Sequence, residues 1–481
     1  MSSNCNLSGI EAYIPSTENP WDLKKIGHLY KRFAMGIRPT EALPLLNQTP
    51  SDIIDDLIEN TLNASLTTHP EESYILSENV SRQRRLWSVG MINEIYEKGV
   101  QGRMFLFWHN HFVTIYNRVP RYLYNYTSLL QEHSLGNFKD FTRAIGVDDQ
   151  MLQFLNGSDN VKDAPNENYA RELYELFTLG EGNGYTEFDI TETARALTGY
   201  NGRDDNDVNV GAPYFFLEDN WDDGDKTIFN RTGNWGYDDV IDILFEEKAE
   251  LISVYITETL YRYFVHPDLP EGTTVIEDLA QTFRENDFEI IPLLKQLFKS
   301  EHFFDVSAMD VIIKSPIDQS LMLHRCSNLT HFEDNDTNRF STLSDDLGQV
   351  LFVHPDVFGW PGDRSWISPP NFINTWTVLE EYIDFYHRNA DRDREDFRDL
   401  AMALTDNTTD YKVISNAIVD WFLPSKLLSD EDYKIAQDIF KSDIPENYFV
   451  DGTWTINFFE VPFQVSLLLK HIIRLPEFHI K

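Results

Sequence analysis

Trp21-Asp22-Leu23-Lys24-Lys25-Ile26-Gly27-His28-Leu29-Tyr30-Lys31-Arg32-Phe33-Ala34-Met35-Gly36 carries Leu23, Ile26, Leu29, Tyr30 and Phe33 at steps of three and four. That spacing gathers apolar side chains on one face of an α-helix. Arg38-Pro39-Thr40 interrupts the pattern before a second short helix, Glu41 to Asn47, and Ser51 to Leu62 makes a third. The same period recurs at about Glu78–Lys98, Gly102–Phe112, Arg121–His133, Phe138–Ile145, Pro165–Leu179, Glu187–Thr198, Asp238–Phe264, Thr274–Glu285, Ile290–Ser300, Pro316–Asn328, Asn338–Phe352 and Asn371–His387. Strand-like alternation is rare, and its clearest case is Pro213–Leu217 with Lys226–Phe229 around an acidic turn. The expectation is an all-α, large multi-helix globular fold with a small β-hairpin around 213–229.

Outward from these helices, Gly202–Asn209 and His331–Asn338, with Glu333, Asp334 and Asp336, read as acidic surface loops. The charged stretch Arg388–Arg398 is the best candidate boundary. One domain over 1–481 is expected, with a C-terminal helical subdomain at about 390–481. No fixed-period repeat emerges, so a solenoid is not supported.

With 42% apolar and 25% charged residues and 65 aromatic rings, the 481-residue chain is too apolar for a disordered polymer. Forty basic against 79 acidic residues give a net charge of −39, a field that disfavours nucleic acid and anionic membranes. Two cysteines, Cys5 and Cys326, build neither a disulfide framework nor a four-thiolate zinc site. Residues 1–20 lack the apolar stretch of a signal peptide, which points to a cytoplasmic protein. No uncharged apolar stretch approaches the roughly 20 residues of a membrane-spanning helix.

Chemistry concentrates in four runs. In Arg103-Met104-Phe105-Leu106-Phe107-Trp108-His109-Asn110-His111-Phe112, five apolar or aromatic residues lead into two imidazoles. On a helix two such rings lie about 200° apart, so joint binding of a divalent metal ion by His109 and His111 demands a helix end there. Their other reading is as buried groups tying segments together. Pro165–Gly180 is an amphipathic helix with Asn168, Arg171, Glu172 and Glu175 on one arc, which a solvated face of i,i+4 pairs also explains. In Gly182–Gly199, Thr186 is an N-cap with Asp189 as its reciprocal partner, whereas Glu192 and Arg195 have no capping task, and their i,i+3 spacing also suits a simple pair with one another. The stretch Leu347–Ile367 holds two Trp, two Pro and three Gly. Such a turn suits either the wall of a pocket or a self-packed loop. The acidic turn Asp219–Asp225 lacks the spacing and closing Glu of an EF-hand. No phosphate loop, Gly-x-Ser-x-Gly elbow or His-Glu-x-x-His occurs.

Together Phe107-Trp108-His109-Asn110-His111-Phe112, Asn168-Tyr169-Ala170-Arg171-Glu172-Leu173, Ala194-Arg195-Ala196-Leu197-Thr198-Gly199, Lys314-Ser315-Pro316, Gly348-Gln349 and Gly359-Trp360 resemble the bacterial "domain of unknown function 1800" family. Asn286-Asp287-Phe288-Glu289-Ile290 and Ser300-Glu301-His302-Phe303-Phe304 look like its Bacteroidetes branch. The resemblance covers nearly the whole chain and implies a largely helical protein of unassigned activity. It marks His109, His111, Arg171, Glu172, Glu192 and Arg195 as motif positions. Where the family usually has His-Asp before the Gly-x-Lys of the acidic turn, this chain has Trp221-Asp222, with Lys226 retained, so a third imidazole is missing. Exported members of the family, encoded beside sulfatase-like proteins, imply an extracytoplasmic alternative and such a neighbour as a partner.

The leading expectation is an enzyme carrying out hydrolysis or group transfer, with His109, His111, Arg171, Glu172, Glu192 and Arg195 converging in one pocket lined by Trp108, Asn110, Asn168 and Trp360. The rival is a non-catalytic binding or scaffold protein that docks a protein partner or a glycan.

Overall fold

The computed structural model describes residues 8–65, 80–116, 119–203, 211–332, 334–388, 394–423 and 429–481. Cys5, the start of the helix expected from Glu78, residues 204–209 of the first acidic loop, Glu333 of the second and residues 389–393 of the expected boundary lie outside the described residues. Twenty-two α-helices run through the described residues, with two two-stranded antiparallel ribbons. The fold is mainly helical, and none of the described helices is long and apolar enough to cross a membrane.

The Val100–His111 helix is buried at every residue except Asn110. A helix apolar on all sides has no wet face, so it sits at the centre and the rest packs around it. A methyl at Gly102 would meet Ile95 Cα at 2.5 Å, so only glycine allows the Val80–Lys98 helix to cross this closely. Arg103, on the same helix, must find partners inside the protein. Its guanidinium donates to the carbonyls of Lys31 and Ala34, closing the C-terminal end of the Leu23–Phe33 helix, and to Asp318.

Asp318 belongs to the Pro316–Cys326 helix, which opens on a capping box between Ser315 and Asp318 with Pro316 at its first turn. One contiguous apolar cluster runs from Tyr13 to Phe478. The helices after residue 394 share it: the Trp421 indole donates to the Cys326 carbonyl at 3.0 Å. The final residues return along 311–314, where Lys314 N–H donates to the His479 carbonyl and Lys481 N–H to that of Ile312, both at 2.8 Å. That return carries the Lys481 side chain to Asp318.

Two local expectations are corrected. The segments expected to pair across 213–229 are strands, but Tyr214–Phe215 pairs with Gly202–Arg203 and Lys226–Ile228 with Arg231–Gly233. Phe229 and Asn230 hold φ of 48° and 65°, the two-residue turn that closes a hairpin locally, and this short closure outcompetes pairing across the acidic loop. The helix expected from Pro165 starts at Asn168 and becomes a π turn over Leu173–Thr178. Thr178 bonds the Leu173 carbonyl, while Tyr255 and His111 take those of Leu176 and Phe177. Side chains from within and outside the turn thus satisfy three of its carbonyls.

Candidate functional site

A cavity of about 530 Å³ opens between the Val100–His111 helix, the Ala249–Phe264 helix and the loop over residues 357–366. Its walls are rings: Phe107, Tyr255, Tyr263, Phe358, Trp360 and Trp366. Its polar lining includes Asn110, His111, Ser315, Asp318, Gln349 and Lys481.

Asn110, the one half-exposed residue of the central helix, clasps the loop. Trp360 N–H donates to Asn110 Oδ1 at 2.7 Å, and Asn110 Nδ2 donates to the Trp360 carbonyl at 3.2 Å. Gly359 makes the clasp fit, because its φ is +81° and an added methyl would lie 2.5 Å from Asn110 Oδ1. Gly359→Ala is expected to cost about 1–3 kcal/mol in left-handed strain and steric displacement. Thermal unfolding together with the tryptophan emission spectrum checks this, since the loosened Trp360 becomes wetter. An unchanged spectrum and melting temperature would remove the clasp from the account.

The two histidines point in different directions. His109 is fully buried, with Nδ1 at 2.9 Å from the Tyr126 hydroxyl, which itself donates to the Phe112 carbonyl at 2.7 Å. Phe352 N–H donates to His109 Nε2 at 3.2 Å. Both ring nitrogens are therefore engaged, which assigns the proton to Nδ1. Burial, reinforced by His354 at 4.4 Å between ring centres, holds its pKa well below the ordinary value. His111 lines the cavity and donates from Nε2 to the π-turn carbonyl of Phe177 at 3.0 Å. Burial brings it down to about 4, with that carbonyl opposing, so it is an uncharged imidazole at neutral pH.

A metal centre does not fit this pair. His109 offers no lone pair and the rings diverge, as helical geometry requires. Among the described residues no group of three or more His, Cys, Asp or Glu side chains could hold a metal ion.

The remaining expected residues stand away from the cavity. Trp108 is fully buried among Phe112, Phe138 and Phe141 and donates to the Ser134 carbonyl. Asn168 reaches Asn156 at 3.3 Å. Arg171 lies on the surface in a cluster with Glu167, Glu175 and Glu187. Glu172 is half-buried, and burial followed by the nearby Glu175 pushes its carboxyl up. Glu192 and Arg195 form a third group: Arg195 donates to Glu192 and Asp222, and Thr227 N–H donates to Glu192 Oε2 at 2.8 Å. Lys226 lies over the Trp221 ring at 4.4 Å and donates to the Asp222 carbonyl. These groups lock the acidic turn to the Glu187–Ala196 helix, and neither Arg171, Glu172, Glu192 nor Arg195 lines the cavity. The single pocket expected from sequence is thus divided among the cavity wall, a surface cluster and a turn lock. Asp189 caps its helix with Thr186 and also receives the Phe229 N–H.

Sequence reasoning missed the cavity floor. Asp318 and Lys481 line it, Arg103 stands behind, and all three are almost wholly buried. Burial alone raises the Asp318 carboxyl, but Arg103 and Lys481 together hold it well below the usual carboxylate range. Two signals were present: an arginine inside an apolar run, and the Ser-x-x-Asp cap at Ser315.

Fold and cavity together define a helical protein built around one buried helix with an aromatic-walled pocket against its C-terminal end. The chain belongs to the family described as "Protein of unknown function (DUF1800)", which it matches over residues 28–480. No curated protein and no solved structure matches it. The family description assigns no activity, and the function is uncharacterised.

Proposed function

We propose that this protein works by taking a small organic ligand into the cavity between the Val100–His111 helix and the 357–366 loop. The observation that carries the reading is the cavity itself, about 530 Å³ within the roughly 300–1,000 Å³ typical of ligand pockets. Rings supply flat apolar contact, and a few fixed polar groups supply orientation. Trp366 is only partly buried, so its removal is expected to leave the fold intact.

The test is a small-molecule screen followed by tryptophan-fluorescence titration of wild type and Trp366→Ala. Ligands of this cavity are expected to lose at least tenfold in affinity in the variant, with the far-UV spectrum unchanged. Hits indifferent to the substitution, or none at all, would overturn the reading.

A catalytic reading narrows to His111. Its Nε2–H is pinned by the Phe177 carbonyl, which orients the ring as a base would need. With a pKa near 4 it is a weak base at neutral pH, which is why binding is preferred to hydrolysis or group transfer as the primary role.

A further inference from the structure

The polar floor of the cavity has more donors than acceptors. Lys481 is 3% exposed, and its ammonium has one hydrogen-bond partner among the described residues, Asp318 Oδ2. An ammonium carries three N–H groups, so the others lack acceptors. Gln349 uses Oε1 to accept the Ile317 N–H at 3.0 Å, leaving its NH2 as a donor on the lining. Ser315 Oγ accepts the Asp318 N–H, so its own proton is available. In the wall above, Trp360 Nε1 is buried without a partner among the described residues. Asp318, the one carboxylate there, is already claimed by Arg103, Lys481 and the Ser315 N–H.

The helix end points the same way. Ser315, Ile317 and Asp318 form the electropositive first turn of a helix, beside the Arg103 and Lys481 side chains that pair with Asp318. Buried donors without acceptors are costly, and one anionic acceptor group relieves them. The rest of the cavity is aromatic and apolar. The other charged residues on the lining, Arg262 and Asp363, are more exposed than Lys481 and Asp318.

We propose that the ligand is a small carboxylic acid with an apolar or aromatic body, its carboxylate held by Lys481, Gln349 and Ser315 and its body stacked among Tyr255, Phe358, Trp360 and Trp366. This rests on the cavity being the binding site and names its ligand class. The protein's net charge of −39 repels the acid at long range and slows its entry, while the donors of the floor retain it.

The experiment titrates full-length protein with benzoate, 3-phenylpropionate and 4-phenylbutyrate and with the matching amides. At least one acid is expected to bind tenfold or more tightly than its amide. Lys481→Met is expected to abolish that preference. Should Lys481→Met fail to fold, Gln349→Glu decides: it keeps the acceptor for Ile317, turns the free donor into an anion and should cost the acid at least tenfold. Equal binding of acid and amide in wild type, or a preference surviving both substitutions, overturns the ligand class. If neither series binds while neutral sugars or amines do, and those lose affinity in Trp366→Ala, the carboxylate inference falls and the cavity remains the binding site. If nothing that binds responds to Trp366→Ala, both fall.

Discussion

Asp318→Asn is expected to destabilise the protein by about 3–5 kcal/mol, the cost of removing the only anion from a buried ionic group. Asp318 binds Arg103 through one oxygen and Lys481 through the other, and each of the three is at most 3% exposed. Arg103 and Lys481 are then left beside one another without the carboxylate between them, with Arg32 buried close by. Denaturant unfolding measures the loss. The control is the triple replacement Arg103→Met, Asp318→Leu, Lys481→Met, which removes these three side-chain charges together and is expected to cost less than the single change. A single variant no less stable than the triple would show that the ionic group does not hold the core.

The same carboxyl sets an acid limit. Its folded-state pKa lies below the ordinary one, so its contribution is complete above the unfolded value of about 3.9 and is lost as pH falls through the lower folded value. Wild-type stability should therefore drop below about pH 4, and the drop should be shallower in Asp318→Asn.

His109→Ala is the second large effect, expected at about 3–5 kcal/mol by analogy with emptying a buried aromatic site. Its ring lies 5.4 Å from that of Phe105, 4.4 Å from His354 and 5.5 Å from Trp360, so truncation opens a hole where the central helix meets the 352–360 loop. It also orphans the buried Phe352 N–H. Chelation tells this role from metal ligation. A structural ring gives the same loss with and without EDTA, and wild type does not move. Were wild-type stability to fall on EDTA to the level of the variant, His109 would be a ligand after all.

These expectations show how unevenly the site could be read beforehand. The Phe107–Phe112 run and the Gly359-Trp360 loop stood out by composition, and they meet through Asn110 and Trp360. The charged motif positions 171, 172, 192 and 195 stood out equally, yet their partners are local or across an adjoining turn. A charged residue on an amphipathic helix looks the same in sequence whether it faces a pocket, water or a neighbouring ribbon. Asp318 carried the signature of a cap, and nothing near it announces that a lysine 163 positions later completes its coordination.

By itself the sequence determined the helices, because three- and four-residue apolar spacing, Ser/Thr caps and proline starts act within a turn or two of chain. Only the tertiary structure decided which ribbons pair, where the π turn forms, that His109 and His111 face apart, and that Arg103, Asp318 and Lys481 share the floor of a cavity. Those outcomes depend on burying charges and on satisfying each backbone and side-chain donor with whatever partner the packed core brings near. For Arg103, Asp318 and Lys481 that accounting closes only between residues 163 and 215 positions apart.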